Sequence, residues 1–361
     1  MTVDLAALRA SVPDNLAGHR FETSRVDLLT RVDGVVGPLD GVEGCSVTID
    51  GDSLVSGSGS LELRDTGQNI KWASARVQPW IVVNGQAWPL GVFLLSTPND
   101  EYDGTGRAWS VKLSDKVDIL DDPIPVSHSV AAGANIVEAV VAAIQETGEM
   151  NTQITPSDAT LPEPGLTWSV GTSRLTIVND LLKALNYQPV RADPWGALYA
   201  GPDTAPVDRP VTREFVEGEN AIHEATFTVE RDLAKVPNRV VCLWQASSDT
   251  EVQKAVAEDH DPNSPTSYEN RGRWVTKVYE NEEADSQATL DAIALKYLRE
   301  DTALRDTVVF SHAAVPIEIG DVVRFRSADL DILGEVRRTE ASLGVGELTR
   351  TTIRKVVDFG A

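Results

Sequence analysis

From about residue 24 to 120, apolar and polar residues alternate with a period of two, in short runs broken by Gly, Asp, Asn and Pro. Such alternation places apolar side chains on one face of a strand, so the runs predict antiparallel strands and hairpins. They include SRVDLLTRVDG, GCSVTIDGD, SLELRD, ARVQPWIVVNGQAWPLGVFLLSTP and GRAWSVKLSDKVDIL. Asn84-Gly85 stands between two apolar runs, and this dipeptide accepts the left-handed conformations that a two-residue hairpin turn needs.

After PIPVSH the period changes. Ile136, Val140 and Ile144 recur every four residues, Asn135 with Glu138 resembles a capping box, and Gly148 follows the last turn, which predicts a helix over 135–147. Ser173 caps a second helix whose Leu175, Val178, Leu182 and Leu185 share one face, and YQPVRAD and WGALYAG flank Pro194 as two short strands. Alternation returns in AIHEATFTVER, NRVVCLWQ, WVTKVYE, RDTVVFSH, IEIGDVVRFRS and the pair GEVRRTEASL and ELTRTTIRKVV. A helix near 285–301 is built around Leu290, Ala294, Tyr297 and Leu298. The fold class is therefore mainly β with α+β inserts: a first β domain over 1–125, a small α+β insert domain over 126–205, a second β domain from 220–245 and 304–361, and an inserted excursion over 246–303.

Length agrees with this division, because 361 residues exceed the roughly 250–300 that one core serves. The content of 42% hydrophobic and 24% charged residues is that of a folded globular protein. No apolar run approaches the ~20 residues of a membrane span, and the opening MTVDLAALRASVPDN lacks the order of a secretion signal, so stable membrane insertion is not expected and synthesis in a cytoplasm is. Cys45 and Cys242 stand far apart without a CxxC pair, which argues against a disulfide framework or a zinc knuckle. The net charge of -23 leaves the chain without the clustered Lys and Arg that grip a phosphate backbone.

Candidate chemistry is sparse. Gly51-Asp52-Ser53-Leu54 matches the nucleophile block of GDSL esterases, yet SVTID before it alternates and no Asp-x-x-His follows near the C-terminus to supply a base. Glu258-Asp259-His260-Asp261 offers oxygen and nitrogen ligands, but four consecutive residues rarely converge on one ion. His19, His128, His223 and His312 are scattered without partners at ligand spacing. No Walker A loop, GxGxxG or HExxH is present, so no cofactor or metal is expected. Trp72, Trp80, Trp88 and Trp109 lie in the first β region, where exposed rings would stack on sugars and buried rings would form core.

Three words of the sequence resemble hub proteins at the tip of tailed-phage tails, of the minor tail protein type found in actinobacterial phages. Arg76, Pro79 and Trp80 lead through a hairpin to Trp88, Pro89, Leu90, Gly91, Val92 and Phe93, with LSDKVDILDD following. Trp168 and Gly171 precede a helix ending in Leu185, Asn186 and Tyr187, then a hairpin with Asp193, Trp195, Gly196 and Tyr199. Gly320 and Asp321 sit in the third word, PIEIGDVVRF. The resemblance implies two tail-tube-like β domains per chain and a homotrimer that presents six similar units to a sixfold tail tube. It also implies partners in the distal tail protein, the tape-measure protein and other tail-tip or fibre proteins, with DNA passing in transit and a place at the virion tail tip. The role it implies is structural, not enzymatic; the alternatives are a carbohydrate-binding tail protein using its tryptophans, or a GDSL-type hydrolase. The chain ends at Gly360-Ala361 straight after RTTIRKVVDFG, so an added lytic or fibre activity is expected from another protein.

Overall fold

The alternating run of the first β region folds as β1 (Glu22–Leu29), β2 (Val35–Pro38), β3 (Val42–Asp50), β4 (Gly57–Arg64), β5 (Arg76–Val83), β6 (Gln86–Pro89), β7 (Phe93–Leu95), β8 (Asp100–Asp103) and β9 (Gly106–Asp115). The computed structural model describes residues 20–104, 106–230, 233–244, 252–280, 287–303, 307–344 and 346–356. MTVDLAALRASVPDN, His19 and Gly360-Ala361 lie outside them. Asn84 and Gly85 both take positive φ, 51° and 84°, and turn β5 into β6 as the dipeptide predicts. Val26, Leu28, Val47, Leu61, Leu63, Val77, Phe93, Val111 and Leu113 form the core of this region.

The insert carries β10 (His128–Val130), helix α1 (Ile136–Gln145), β11 (Thr152–Ile154), β12 (Leu166–Trp168), helix α2 (Arg174–Ala184), β13 (Arg191–Ala192) and β14 (Leu198–Ala200). Both predicted caps are in place: the Asn135 side chain accepts from the Glu138 N–H and the Ser173 side chain from the Thr176 N–H. The helices bury Ile136, Val140, Ile144, Leu175, Val178, Leu181 and Leu182 in a core of their own.

The second β region contributes β15 (Val211–Val216), β16 (His223–Glu230), β20 (Thr307–His312), β21 (Val322–Arg326), β22 (Asp331–Ser342) and β23 (Thr349–Lys355). Between β16 and β20 lie β17 (Arg239–Trp244), β18 (Gln253–Glu258), the one-turn helix α3 (Tyr268–Arg271), β19 (Thr276–Tyr279) and helix α4 (Gln287–Ala303). NRVVCLWQ, expected with the second β region, belongs instead to the excursion: β17 pairs with β18 and β19, and Val240 and Cys242 pack on Leu290, Ala294 and Leu298 of α4. Its apolar residues serve this small core, a tertiary destination that strand alternation alone does not encode.

The two β regions share one pairing order. In the first, neighbours run β3-β4-β9-β7-β5-β1; in the second, β16-β20-β23-β22-β21-β15. The first four pairings in each series are antiparallel, and the last differs, β1 lying antiparallel to β5 and β15 parallel to β21. A ladder between Arg338–Ser342 of β22 and Ser46–Asp50 of β3 fuses both into one fifteen-stranded sheet among the described residues.

The second region is cored by aromatic rings. Phe310 lies 4.9 Å from Phe215 and 4.8 Å from Phe325, and His312 lies 4.8 Å from Phe215. His312 Nδ1 faces the Ala313 carbonyl at 2.9 Å, so it carries the proton, and Nε2 accepts from the Thr351 hydroxyl at 2.8 Å. Burial, aided by the nearby charges of Arg213 and Arg20, takes its pKa down to about 4. A depressed histidine pKa means that the unfolded chain binds the extra proton between about pH 6.5 and 4, so stability falls as pH falls through that window. The expected slope from this group is up to about 1.4 kcal/mol per pH unit. Urea unfolding at stepped pH should show this slope in the native chain and its loss in His312→Gln.

Candidate functional site

The insert meets the first β region at a buried group of four charges. Arg76 opens β5, Asp33 sits in the β1–β2 turn with φ of 61°, Lys116 follows β9, and Glu149 follows α1. Arg76 donates to Asp33 Oδ1 at 2.7 Å and to both oxygens of Glu149. Lys116 Nζ, fully buried, reaches Asp33 Oδ2 at 2.6 Å, Glu149 Oε2 at 2.7 Å and the Gly196 carbonyl at 2.7 Å. Two cations thus share two carboxylates, and every charge has a partner of opposite sign. Burial works to raise the Glu149 carboxyl, but donation by Arg76 and Lys116 outweighs it and holds the group below its ordinary value.

Further contacts flank the group. Gln78 donates to the Pro194 carbonyl at 3.0 Å, and the Trp80 and Trp195 rings meet edge to face at 5.2 Å, with the Arg25 guanidinium 4.6 Å from the Trp80 ring centre. Asp193 accepts from the N–H groups of Trp195 and Ala197, which closes the turn. Gly196 is required twice over: its φ is +83°, and a Cβ there would stand 2.8 Å from Val92. A cavity of about 90 Å³ lies behind this seam, where Trp88, Phe93, Tyr199, Val315 and Ala341 bring the two β regions and the insert together.

The remaining singled-out residues are fold-forming. Trp88, Pro89 and Phe93 are buried, and Gly91 has φ of +147° with the Phe93 ring 2.8 Å from where a Cβ would sit. Trp168 donates to Asp180 at 2.7 Å, while Asn186, φ of 55°, caps α2 and Tyr187 N–H returns to the Leu182 carbonyl at 2.9 Å. Gly320 turns with φ of +88°, and Asp321 accepts from the Glu318 N–H at 2.8 Å. The structure brings Arg76, Trp80, Trp195 and Gly196 together and leaves the helix cap and the Gly320-Asp321 turn elsewhere. Asp33, Lys116 and Glu149 escaped sequence reading, although a lysine inside LSDKVDIL, among inward-facing residues, was the available signal.

The enzyme candidates do not assemble. Ser53 donates its hydroxyl to the Val55 carbonyl at 2.8 Å, which cannot act as a base, and Asp52 is bound to Arg337 and, at 2.9 Å, to Arg354. His260 Nδ1 lies 2.8 Å from Glu269 and Nε2 3.3 Å from Glu258, and no group of three or more metal-binding side chains converges among the described residues. Trp80, Trp88 and Trp109 are 9%, 4% and 7% exposed, so none of these three offers a free face to a sugar, while half-buried Trp72 meets Trp109 in an edge-to-face contact at 5.2 Å. Cys45 and Cys242 are buried, and burial pushes the Cys45 thiol up to about 12.

Removing one member of a buried ion group leaves another uncompensated, which costs about 3–5 kcal/mol. Lys116→Met should therefore lose stability on that scale in urea unfolding and open the 126–205 region to limited proteolysis. A change below about 1 kcal/mol would mean that the four charges do not hold the seam.

No protein-family model and no curated protein matches the sequence. Solved structures do match the fold. The tail protein of Neisseria meningitidis MC58 aligns with a TM-score of 0.68 at 14% identity, over 92% of this chain and 97% of its own. The 43 kDa tail protein of prophage MuSo2 from Shewanella oneidensis aligns at 0.65 and 13%, over 93% and 98%. Prophage tail protein gp18 of Listeria monocytogenes EGD-e aligns at 0.52 and 12%, over 92% and 95%. The mainly β architecture with its helical insert is thus the fold of phage tail proteins, shared nearly end to end.

Proposed function

We propose that the chain is a structural hub of a phage tail tip or baseplate, working without catalysis of its own. In this reading a homotrimer presents six similar β units, adapts a sixfold tail tube to a threefold tip and forms part of the DNA conduit. Its neighbours are the distal tail protein, the end of the tape-measure protein and other tip or fibre proteins. The tail-protein fold over nearly the whole chain supports the class.

One observation carries the conduit role. Five adjacent strands, β23-β22-β3-β4-β9, cross the boundary between the two β units, and their core-facing residues include Ile353, Ala341, Val47, Leu61 and Val111. The other face carries Ser46, Thr48, Ser58, Ser60, Ser110 and Ser114, hydroxyls that line up across the ladders. Arginines on this face sit beside carboxylates: Arg338 is 3.4 Å from Asp50 and 2.7 Å from Glu340, and Arg354 is 2.9 Å from Asp52. Glu62 and the exposed Lys112, opposite Ser60, share this face; short hydroxyls and neutralised arginines otherwise give a phosphate backbone little to hold, in keeping with the net charge of -23.

The reading predicts a three-chain mass in solution or in isolated tails, and antibody label confined to the distal tail end of virions. Label spread along the tail, or absent from it, would sink the hub. Phage carrying Ser46→Lys, Ser60→Lys and Ser110→Lys together should assemble and eject DNA more slowly, with the defect easing at high salt as phosphate contacts are screened.

A further inference from the structure

The shared pairing order of the two β units has a consequence for what lies beyond the chain, and it rests on the ring reading above. Inside the chain, β22 does two things along one edge: Asp331–Glu335 pairs with Arg326–Val322 of β21, and Arg338–Ser342 pairs with Asp50–Ser46 of β3. The counterpart of β22 in the first unit is β7, which pairs with β5 through Phe93 and Leu94. Past Leu95 the chain continues along β9, with Ser96 N–H donating to the Lys112 carbonyl and then Asp100–Asp103 pairing with Trp109–Gly106. No ladder covers the outer side of this stretch among the described residues. In the second unit β16, the counterpart of β3, pairs with β20 alone among the described residues, which leave its outer edge open as well.

We propose that these two open edges meet between copies, repeating the β3–β22 ladder so that β16 of one chain pairs antiparallel with the 96–103 edge of the next. The register follows from the ladders. Arg76 pairs with Leu94 and Leu94 with Ser114, as Val322 pairs with Glu335 and Glu335 with Arg354, so Lys112 corresponds to Thr352. Ser60 lies opposite Lys112 and Ser46 opposite Ser60; Val309 lies opposite Thr352 and Thr228 opposite Val309. Thr228 therefore stands where Ser46 stands. Glu101, opposite Ala108, stands where Ser342 stands, so Glu101 of one copy faces Thr228 of the next.

The side chains fit that register. One step further along, Tyr102, 74% exposed in the single chain, faces Phe227, and Asp100 faces Val229. The contact covers an aromatic residue otherwise left in water and fills two sheet edges that a soluble protein would have to protect. Two of the three acidic groups of the edge already have partners: Asp100 accepts from Trp109 Nε1 at 2.8 Å, and Asp103 from Arg64 at 3.1 Å. The interface is head-to-tail, and a head-to-tail contact closes a ring when its rotation divides a full turn.

Cysteines at directly paired strand positions fall within disulfide reach. Glu101→Cys with Thr228→Cys, oxidised in the full-length chain, should move most of the protein into a covalent species of three chains on a non-reducing gel. Dithiothreitol should collapse it. Both native cysteines are buried, and both substituted positions are exposed, which keeps background and folding damage low. The single variants, and Thr228→Cys with Ser58→Cys, should stay at background. A double variant that cross-links no more than these controls overturns the seam. If the mass is still three chains in that case, the trimer stands and only the strand assignment falls. A covalent ladder running past three chains upholds the seam and removes the trimer.

Discussion

Five residues of β22, Arg338–Ser342, lie against Asp50–Ser46 of β3, and this ladder makes one sheet of two β units that come from opposite ends of the chain. Without it each unit would expose a further edge, and the two would be held only by side-chain contacts such as those of Ile81, Val83 and Trp88 with the core of the second region. With it, Arg337 reaches the Gly51 carbonyl and Asp52, and Arg191 from the insert donates to the same Gly51 carbonyl at 3.0 Å. Gly51 belongs there because a Cβ would come within 2.4 Å of Ile319 and 3.1 Å of the Arg337 carbonyl. The tetrad Gly51-Asp52-Ser53-Leu54 is thus a crossing point of three regions, and its glycine and aspartate are explained by packing and ion pairing.

How much was legible in the sequence follows from how local each signal is. The Asn84-Gly85 hairpin, the Asn135 and Ser173 caps and the Asn186 stop are set by interactions within a few residues, and each stands where the pattern places it. β17 reads as a strand for the same reason, yet its partners β18, β19 and α4 are chosen by where its apolar face finds a matching layer. Pairing partners are long-range properties. The four charges of the seam show this most clearly: Asp33, Arg76, Lys116 and Glu149 come from four separate segments and carry no spacing rule.

The shared pairing order of the units was hidden for a related reason. A repeat is visible in sequence when it repeats side chains, and here Ser60 answers to Val309 and Lys112 to Thr352, positions alike in ladder and unlike in chemistry. The excursion also separates β16 from β20, where a short loop separates β3 from β4. Backbone pairing retains the symmetry that side chains and insertions have erased.

The same structure shows how the buried charges of the described residues are used. Catalysis needs a group held away from its ideal partner, poised to act on something else. Here the buried charges are matched within the protein: Arg76 and Lys116 to Asp33 and Glu149, and His312 to Thr351 and the Ala313 carbonyl. Buried Asp115 accepts from Ser56, Gly57 and Val117, three donors that fix the β4 and β9 ends in place, while burial raises its carboxyl pKa. Polar groups spent in this way specify geometry. A protein that holds two β units and an insert in one fixed relation needs that use of charge.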